Sequence, residues 1–291
     1  MSTMPTTMEV VHPGPIATFQ DLGRHGVMGL GIPVSGALDE RSHRLANRLV
    51  GNPETHPTVE ATLGGLAVRF SGPVVVAVTG ADVDVFVGDR QEAINCVLRV
   101  PRGTTLRLGA PRSGLRSYVA VSGLFSLPTL FDSSSTDLLS GLGPEPLQAG
   151  DRIDLRRPDP GAVNPAAISF APVSVPTSHV ICLVHPGPRR DWLTQSAWET
   201  LVSQEFCVSP RSNRIGVRLE GPTLERRRHE ELRSEGLITG AIQVPGDGRP
   251  VVFMHDHPTT GGYPVIGLVR AEDLHLMGQL APGDTVAFRP A

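Results

Sequence analysis

Lysine is absent from this chain of 291 residues: all 26 of its lysine-plus-arginine positions are arginine. That absence excludes several chemistries at once. No Schiff base can form on a lysine amine, and no Walker P-loop can set a lysine against nucleotide phosphates. A Ser-Ser-Lys amidase site cannot be assembled, so the run Ser133-Ser134-Ser135 is not one. Biotin is carried on a lysine amine and cannot be attached here. Any biotin or ATP chemistry involving this chain therefore needs a partner to complete it.

Other scarcities narrow the field further. Cys96, Cys182 and Cys207 are scattered and form no C-x-x-C pair, which argues against a disulfide frame or a cysteine zinc site. They are expected to be small buried apolar residues. Aromatic residues make up 4%, too few for an RNA-stacking platform. The net charge of -3 does not suit a general nucleic-acid or anionic-membrane surface. No apolar run is long enough to span a membrane, and the opening Met1–His12 lacks a basic n-region and an apolar h-region, so the cytoplasm is expected. There is no G-x-S-x-G elbow, no H-E-x-x-H pair and no G-x-G-x-x-G fingerprint.

What is present is a chain able to bury a core, with 40% hydrophobic and 19% charged residues. The five residues Val11-His12-Pro13-Gly14-Pro15 recur as Val184-His185-Pro186-Gly187-Pro188. Near the end of each half a Gly-Asp leads into alternating apolar residues, at Gly150-Asp151 and at Gly283-Asp284. Matching markers in the same order predict two related modules, at residues 8–157 and 179–291, joined by a Pro/Ala-rich linker over 158–178. Met1 to Met8 reads as a ragged terminus.

Short apolar runs separated by turn signals predict a mainly β chain, built as sandwiches or barrels with a few short helices. In the first module these runs are Val74–Val78, Val83–Val87, Val97–Val100, Leu106–Leu108 and Tyr118–Val121. A helix is expected over Asp39–Val50, with Leu45, Ala46, Leu49 and Val50 on its apolar face. In the second module a helix is expected near Asp191–Val202, with Trp192, Leu193, Ala197, Trp198 and Leu201 inward. A hairpin is expected at Pro245-Gly246-Asp247-Gly248 and a last short helix near Asp273–Leu280.

The densest polar stretch is Val208–Pro222, where Arg211, Arg214 and Arg218 sit among Ser209, Ser212, Asn213 and Glu220. Guanidinium forks and amide groups at this density suit a carboxylate, ureido or lactam group, and the plain alternative is a solvated edge strand. Further polar groups lie in glycine-rich loops: Glu235, Gln243 and Asp256, then Thr260 and Tyr263. Gln20, Asp21 and Arg24, together with Arg112 in the loop Gly109–Arg116, supply similar groups in the first module. Such a set could bind an amide, stabilise an oxyanion with Arg and backbone N–H groups, and move a proton through Glu235 or Asp256. The alternative is that these loops only finish the barrel ends. His255 and His257 would share a face of a strand, but no third ligand is in view and no metal site is expected.

Taken together the motifs resemble the KipA-type, allophanate hydrolase subunit 2 family. Its members are also described as biotin-dependent carboxyltransferase-like proteins and as the C-type component of the bacterial ATP-dependent 5-oxoprolinase. The resemblance rests on Gln20–Arg24, Gly31–Asp39, Leu49–Asn52, Glu60–Gly65, Thr79–Asp82 and Pro111–Gly114, then on Val208–Pro222, Ser234–Gly236, Gly240–Pro245 and Thr260–Pro264. It implies two cyclophilin-like β-barrel modules, a KipI-like partner (allophanate hydrolase subunit 1) and, for oxoprolinase, a LamB/YcsF-like subunit. It implies ATP shared with those partners, biotin only on a separate carrier, and a small amide or lactam substrate. The activity expected first is 5-oxoproline opening to glutamate. Carboxyl transfer to urea or another amide, and a non-catalytic regulatory role, are the alternatives. On this reading Arg214 and Arg218 hold a carboxylate, Gln243 and the Asp256/Tyr263 loop contact the lactam, and Glu235 transfers the proton. Asp132, Ser134 and Leu124 depart from the family pattern.

Overall fold

Period-two alternation of apolar residues gives this chain two β systems. The structure, a computed structural model, describes residues 6–156 and 169–291. Residues 1–5 of the expected ragged terminus and residues 158–168 of the expected linker lie outside the described residues.

Contacts divide the chain into two compact units. The first gathers Met1–Arg24, Asp39–Thr136 and Gly141–Pro176, and the second gathers His25–Leu38, Asp137–Ser140 and Thr177–Ala291. Two short segments that precede residue 157 thus belong with the C-terminal half.

In the first unit a ten-stranded sheet runs in the order Ile16–Gln20, Thr58–Thr62, Thr105–Val121, Leu66–Phe70, Thr6–Pro13, Arg152–Arg156, Leu124–Phe125. Val74–Val87 also pairs with Thr105–Val121 and carries Arg90–Glu92 and Val97–Val100. This is a half-barrel, because no pairing joins the two ends of the path among the described residues. The expected short strands Val74–Val78 and Val83–Val87 are one strand of 14 residues, and Leu106–Leu108 and Tyr118–Val121 belong to one of 17. Their register shifts between Gly80 and Val85. The glycines and prolines that read as breaks mark bulges, where an extra residue bends a strand without ending it. Arg112 therefore sits on a strand and not in a loop. One core lies against this sheet, including Met8, Phe19, Phe70, Val76, Val78, Leu106 and Val119. The described end of the expected linker pairs with the sheet edge: Ser169 O accepts from Val97 N at 2.9 Å, and Ala171 N donates to Asn95 O at 2.8 Å.

The helix Glu40–Val50 is capped by Asp39, whose carboxylate accepts from Ser42 N, and it ends at Gly51 in a left-handed conformation. Its buried face holds Ala46, Leu49 and Val50, and also His43 and Asn47, which periodicity in apolar residues could not reveal. His43 Nδ1 meets Thr58 Oγ1 and Nε2 meets Glu54 O, each at 2.9 Å.

The second unit contains a closed seven-stranded barrel: His179–Pro186, Val265–Val269, Ala241–Gln243, Val251–Phe253, Gly216–Glu220, Glu205–Val208 and Thr285–Pro290. The hairpin at Pro245–Gly248 joins two of these strands. Val180, Cys182 and Val184 point inward along the first strand, and Ile181 points out. Burial pushes the Cys182 thiol up to about 12, so it stays protonated and behaves as an apolar residue. All five expected inward residues of the Trp192–Leu201 segment are buried. That segment begins as a 3-10 turn, Arg190–Trp192, and becomes α-helical only at Gln195, where Thr194 caps it. The last helix likewise splits into Ala271–Asp273 and Leu274–Gln279.

The sequence repeat is a structural repeat. Gly150 and Gly283 both take left-handed φ, 93° and 94°. Asp151 accepts from Gln148 N and Asp284 from Ala281 N, each at 2.8 Å. Each V-H-P-G-P copy brings a glycine against a neighbouring backbone. A Cβ on Gly14 would lie 2.2 Å from Gly64 O, and one on Gly187 would lie 2.4 Å from Val265 O. The modules differ where they finish: the Arg152–Arg156 strand is antiparallel to Thr6–Pro13, whereas Thr285–Pro290 is parallel to His179–Pro186.

Gly187→Ala should therefore force apart the His179–Pro186 and Val265–Val269 strands and destabilise the fold by about 1–3 kcal/mol, read as a lower midpoint in urea unfolding. Gly246→Ala, where a Cβ meets nothing within 4 Å, should leave the midpoint almost unchanged.

Candidate functional site

The second unit carries two polar clusters. The first is centred on Arg214, which lies in a turn just before the strand Gly216–Glu220. Asn213 Oδ1 accepts from Ile215 N at 2.9 Å and fixes that turn. Asp256 follows the strand Val251–Phe253, and its amide donates to Arg214 O at 3.1 Å. The two side chains form a fork: Nε to Oδ2 and Nη2 to Oδ1, both 2.9 Å. Both residues are buried, Arg214 3% and Asp256 0% exposed. Ser35 Oγ donates to Oδ1 at 2.8 Å, and Leu138 N to Oδ2 at 3.1 Å. With these four donors the carboxylate has its acceptor positions filled. Arg214 Nη2 also donates to Gly36 O at 2.7 Å. Ser35 is held at φ 54°, an unusual conformation for a non-glycine residue, and its amide donates to His255 O.

Arg214 and Asp256 are thus committed to each other and to the segments Ser35–Gly36 and Leu138. Neither presents a spare fork or lone pair to a substrate carboxylate or proton. Arg218 does not join them: it occupies an exposed position of the barrel strand, and its amide donates to Ser212 Oγ at 3.0 Å. The stretch that held Arg214 and Arg218 together in the sequence separates them in space, one inward and one outward.

The second cluster brings four sequence candidates together. Glu235–Gly236 pairs with Thr260–Gly261 as a two-stranded ribbon. Gln243 Nε2 donates to Tyr263 O at 2.9 Å. A Cβ on Gly261 would lie 2.7 Å from Leu237 Cδ1 and 2.9 Å from Gln243 Nε2, so glycine lets the loop pass both side chains without displacing them. Tyr263 and Thr260 are exposed, and Gln243 is buried. Glu235 is gripped by the Arg189 guanidinium through both carboxylate oxygens. That ion pair holds the Glu235 carboxyl below its ordinary range, which weakens it as a base. Arg189 was not among the sequence candidates. Its signal was its place directly after the repeated V-H-P-G-P.

In the first unit Asp21 is a buried acceptor hub. It takes Ser133 Oγ at 2.7 Å, Ser134 N at 2.6 Å, Ser135 Oγ at 2.5 Å and Gly23 N at 2.8 Å. Arg24 donates to Ser135 O, and Gln20 Nε2 to Thr136 O at 2.9 Å. In the serine run that no lysine accompanies, the Ser133 and Ser135 hydroxyls and the Ser134 amide turn toward this carboxylate, and the Ser134 hydroxyl donates to Pro128 O. Phe131 and Asp132 precede it with φ of 51° and 60°, so the departures from the family pattern at Asp132 and Ser134 fall in or beside a strained turn, whereas Leu124 starts the strand Leu124–Phe125. Arg112 lies elsewhere, paired with Asp82 and Asp84 on the exposed sheet surface.

Sequence reasoning also missed a buried chain of polar groups. Asp39 N donates to Tyr118 Oη, and Tyr118 donates to Glu60 Oε2, both at 2.8 Å, with Arg116 3.4 Å from Glu60. Burial first, and then the Glu60 charge, push the Tyr118 phenol well above its usual value, so it stays protonated as a donor. His255 and His257 lie in a turn after the strand ends, and among the described residues no group of three or more His, Cys, Asp or Glu could hold a metal ion.

A mainly β half-barrel and a closed seven-stranded barrel, with polar clusters in glycine-rich loops, define the structural class. The family model "Carboxyltransferase domain, subdomain A and B" matches residues 30–290, and the chain belongs to that family. It is 34% identical to the C component of the 5-oxoprolinase of Escherichia coli K12, over 97% of this chain and 90% of that one. The crystal structure of TTHA0988 superimposes with a TM-score of 0.88 at 33% identity, covering 99% of this chain and 56% of that one. The urea amidolyase of K. lactis superimposes with a TM-score of 0.90 at 32% identity, covering all of this chain and 19% of that one. The chain therefore spans about half of the former and a fifth of the latter. Among the described residues no helix is long and apolar enough to cross a membrane.

Removing one partner of the buried pair strands the other charge. Arg214→Met or Asp256→Asn should cost about 3–5 kcal/mol in urea unfolding near neutral pH, and the double change to apolar residues should cost less than the sum. A pH effect follows from His43 and His257, both held below the usual histidine value of 6.5 mainly by burial. Their neutral forms are favoured in the folded state. Stability from this source is complete above 6.5 and is lost as pH falls below it toward the folded values. Unfolding midpoints measured from neutral to mildly acid pH should decline, and His43→Gln should flatten the decline.

Proposed function

We propose that this chain is the C-type component of an ATP-dependent 5-oxoprolinase, which opens the lactam of 5-oxoproline to glutamate with KipI-like and LamB/YcsF-like subunits. The observation that carries the reading is the near end-to-end match to the corresponding E. coli 5-oxoprolinase component, over 97% of this chain and 90% of that one. The chemistry of the chain supports it. Gln243, Thr260 and Tyr263 offer amide and hydroxyl groups around a loop that glycine keeps open, and Arg189 and Glu235 border it. These groups suit an uncharged amide with a carboxylate nearby. Arg214 and Asp256 act in this reading as positioning residues, which shape the loop that follows Asp256. With no lysine in the chain, ATP phosphates must be met largely by the partner subunits.

A second reading has one specific observation in its favour: the fold match to the K. lactis urea amidolyase at a TM-score of 0.90, together with the carboxyltransferase family model. On it the chain is a carboxyltransferase component for urea or a similar amide, with biotin brought by a separate carrier. A non-catalytic, KipA-type regulator is the remaining alternative.

The deciding measurement is ATP-dependent glutamate release from 5-oxoproline, by the chain alone and co-expressed with its KipI-like and LamB-like partners. Release only by the full set is expected. An assembled complex that releases none overturns the reading, and carboxybiotin-dependent carboxylation of urea by the same complex then establishes the second. In the active complex Gln243→Ala should lower kcat/KM by about tenfold or more without loss of assembly, as expected for one lost hydrogen bond to substrate.

A further inference from the structure

Two buried side-chain acceptor atoms in the second unit have no hydrogen-bond partner among the described residues. One is Nε2 of His257, a residue 0% exposed. His257 Nδ1 lies 2.7 Å from Pro258 O. A carbonyl only accepts, so Nδ1 carries the proton, and in the neutral ring Nε2 is left as a lone pair. Burial holds the imidazole below its usual value and so keeps it neutral. The other atom is Oδ2 of Asp137, 1% exposed, whose Oδ1 already accepts from Leu139 N at 2.8 Å and Ser140 N at 3.1 Å.

The fold brings the chain neighbours of these two residues together. Leu138 N, next to Asp137, reaches the carboxylate of Asp256, next to His257. The Asp137 charge also acts on the His257 ring. Two buried acceptors, each without a donor among the described residues, are costly, and a donor arriving from outside the chain would satisfy them. Solvent reaches neither atom. Yet Leu138, Leu139 and Ser140, which follow Asp137, are exposed, and so is Thr260, three residues after His257, so both acceptors belong to segments that reach the surface of this unit.

We propose that His257 Nε2 and Asp137 Oδ2 are acceptors for the N–H group of an amide ligand that reaches them beside the exposed turn Leu138–Ser140, with the bonds of that turn to Asp256 and Asp137 kept. This rests on the amide-acting function proposed above and deepens it. A lactam and urea both present N–H donors, and the pair selects for that feature. Esters and fully N-alkylated amides lack it and leave both acceptors buried and unmet. Asp256 and Arg214 take part only by position, because they pin Leu138 beside the loop that carries His257.

The test is long-range proton–nitrogen spectroscopy of the imidazoles in the full chain, with the His257 signal assigned by its loss in His257→Gln. The probes are 5-oxoproline, its N-methyl derivative, urea and tetramethylurea. A shift of the Nε2 resonance with 5-oxoproline or urea, and none with the N-methylated probes, is expected, and the responding probe identifies the source of the N–H. Asp137→Asn, which keeps the Oδ1 contacts to the turn, should weaken the responding probe about tenfold. No shift with either N–H probe, or an equal shift with an N-methylated one, overturns the inference. The two proposals fail separately. Glutamate release by the assembled wild-type complex without an imidazole shift removes only this inference. A urea-specific shift without glutamate release keeps it and removes the oxoprolinase reading.

Discussion

The Arg214–Asp256 pair is the constraint on which the second unit depends. A carboxylate and a guanidinium both removed from water are tolerable only when every remaining lone pair and N–H finds a partner. Here that requirement recruits distant chain: Ser35 and Gly36 from one excursion and Leu138 from another, each bonded to the pair. The left-handed Ser35 would be unfavourable by itself and is held by its bonds to Asp256 and His255. The glycine-rich loop that follows Asp256 starts from a fixed point, and so its polar groups have defined positions.

The two modules show how a repeat can diverge by topology while keeping its turns. The Gly-Asp turn is the same in both, down to the side chain that accepts from three residues before. The final strand that it launches runs antiparallel to its module's first strand in one copy and parallel in the other. Parallel pairing of first and last strands closes the barrel. In the half-barrel the last strand instead lies between the first strand and Leu124–Phe125.

Much of the β architecture was legible, because apolar alternation and turn residues report directly on strands. Boundaries were less so. Gly80 and the stretch Gly109–Gly114 read as ends of strands, yet long strands absorb them as bulges. His43 and Asn47 are polar and therefore invisible to a search for an apolar helix face, although their hydrogen bonds let them lie inside. For the candidate site, four residues chosen for their polar types in glycine-rich loops, Glu235, Gln243, Thr260 and Tyr263, do come together. Spacing along the chain misled for Arg214 and Arg218, because a turn intervenes and sends them to opposite environments. Arg189 and Asp137 were not singled out, and His257 was considered only as a metal ligand. What distinguishes them is who their neighbours are, and that is a property of long-range folding.

The composition of the second unit has a consequence for how the protein is made. Its pieces Ser35–Gly36, Leu38 and Leu138 leave the ribosome long before the strands that cover them, the last of which ends at Pro290. During vectorial synthesis Leu38 and the ligands of the buried pair must wait, uncovered, until Pro290 has been made. The half-barrel can assemble early, but the barrel unit closes only once Thr285–Pro290 has emerged. Loss of the strand Thr285–Pro290 would therefore expose segments far upstream and invite quality-control recognition there.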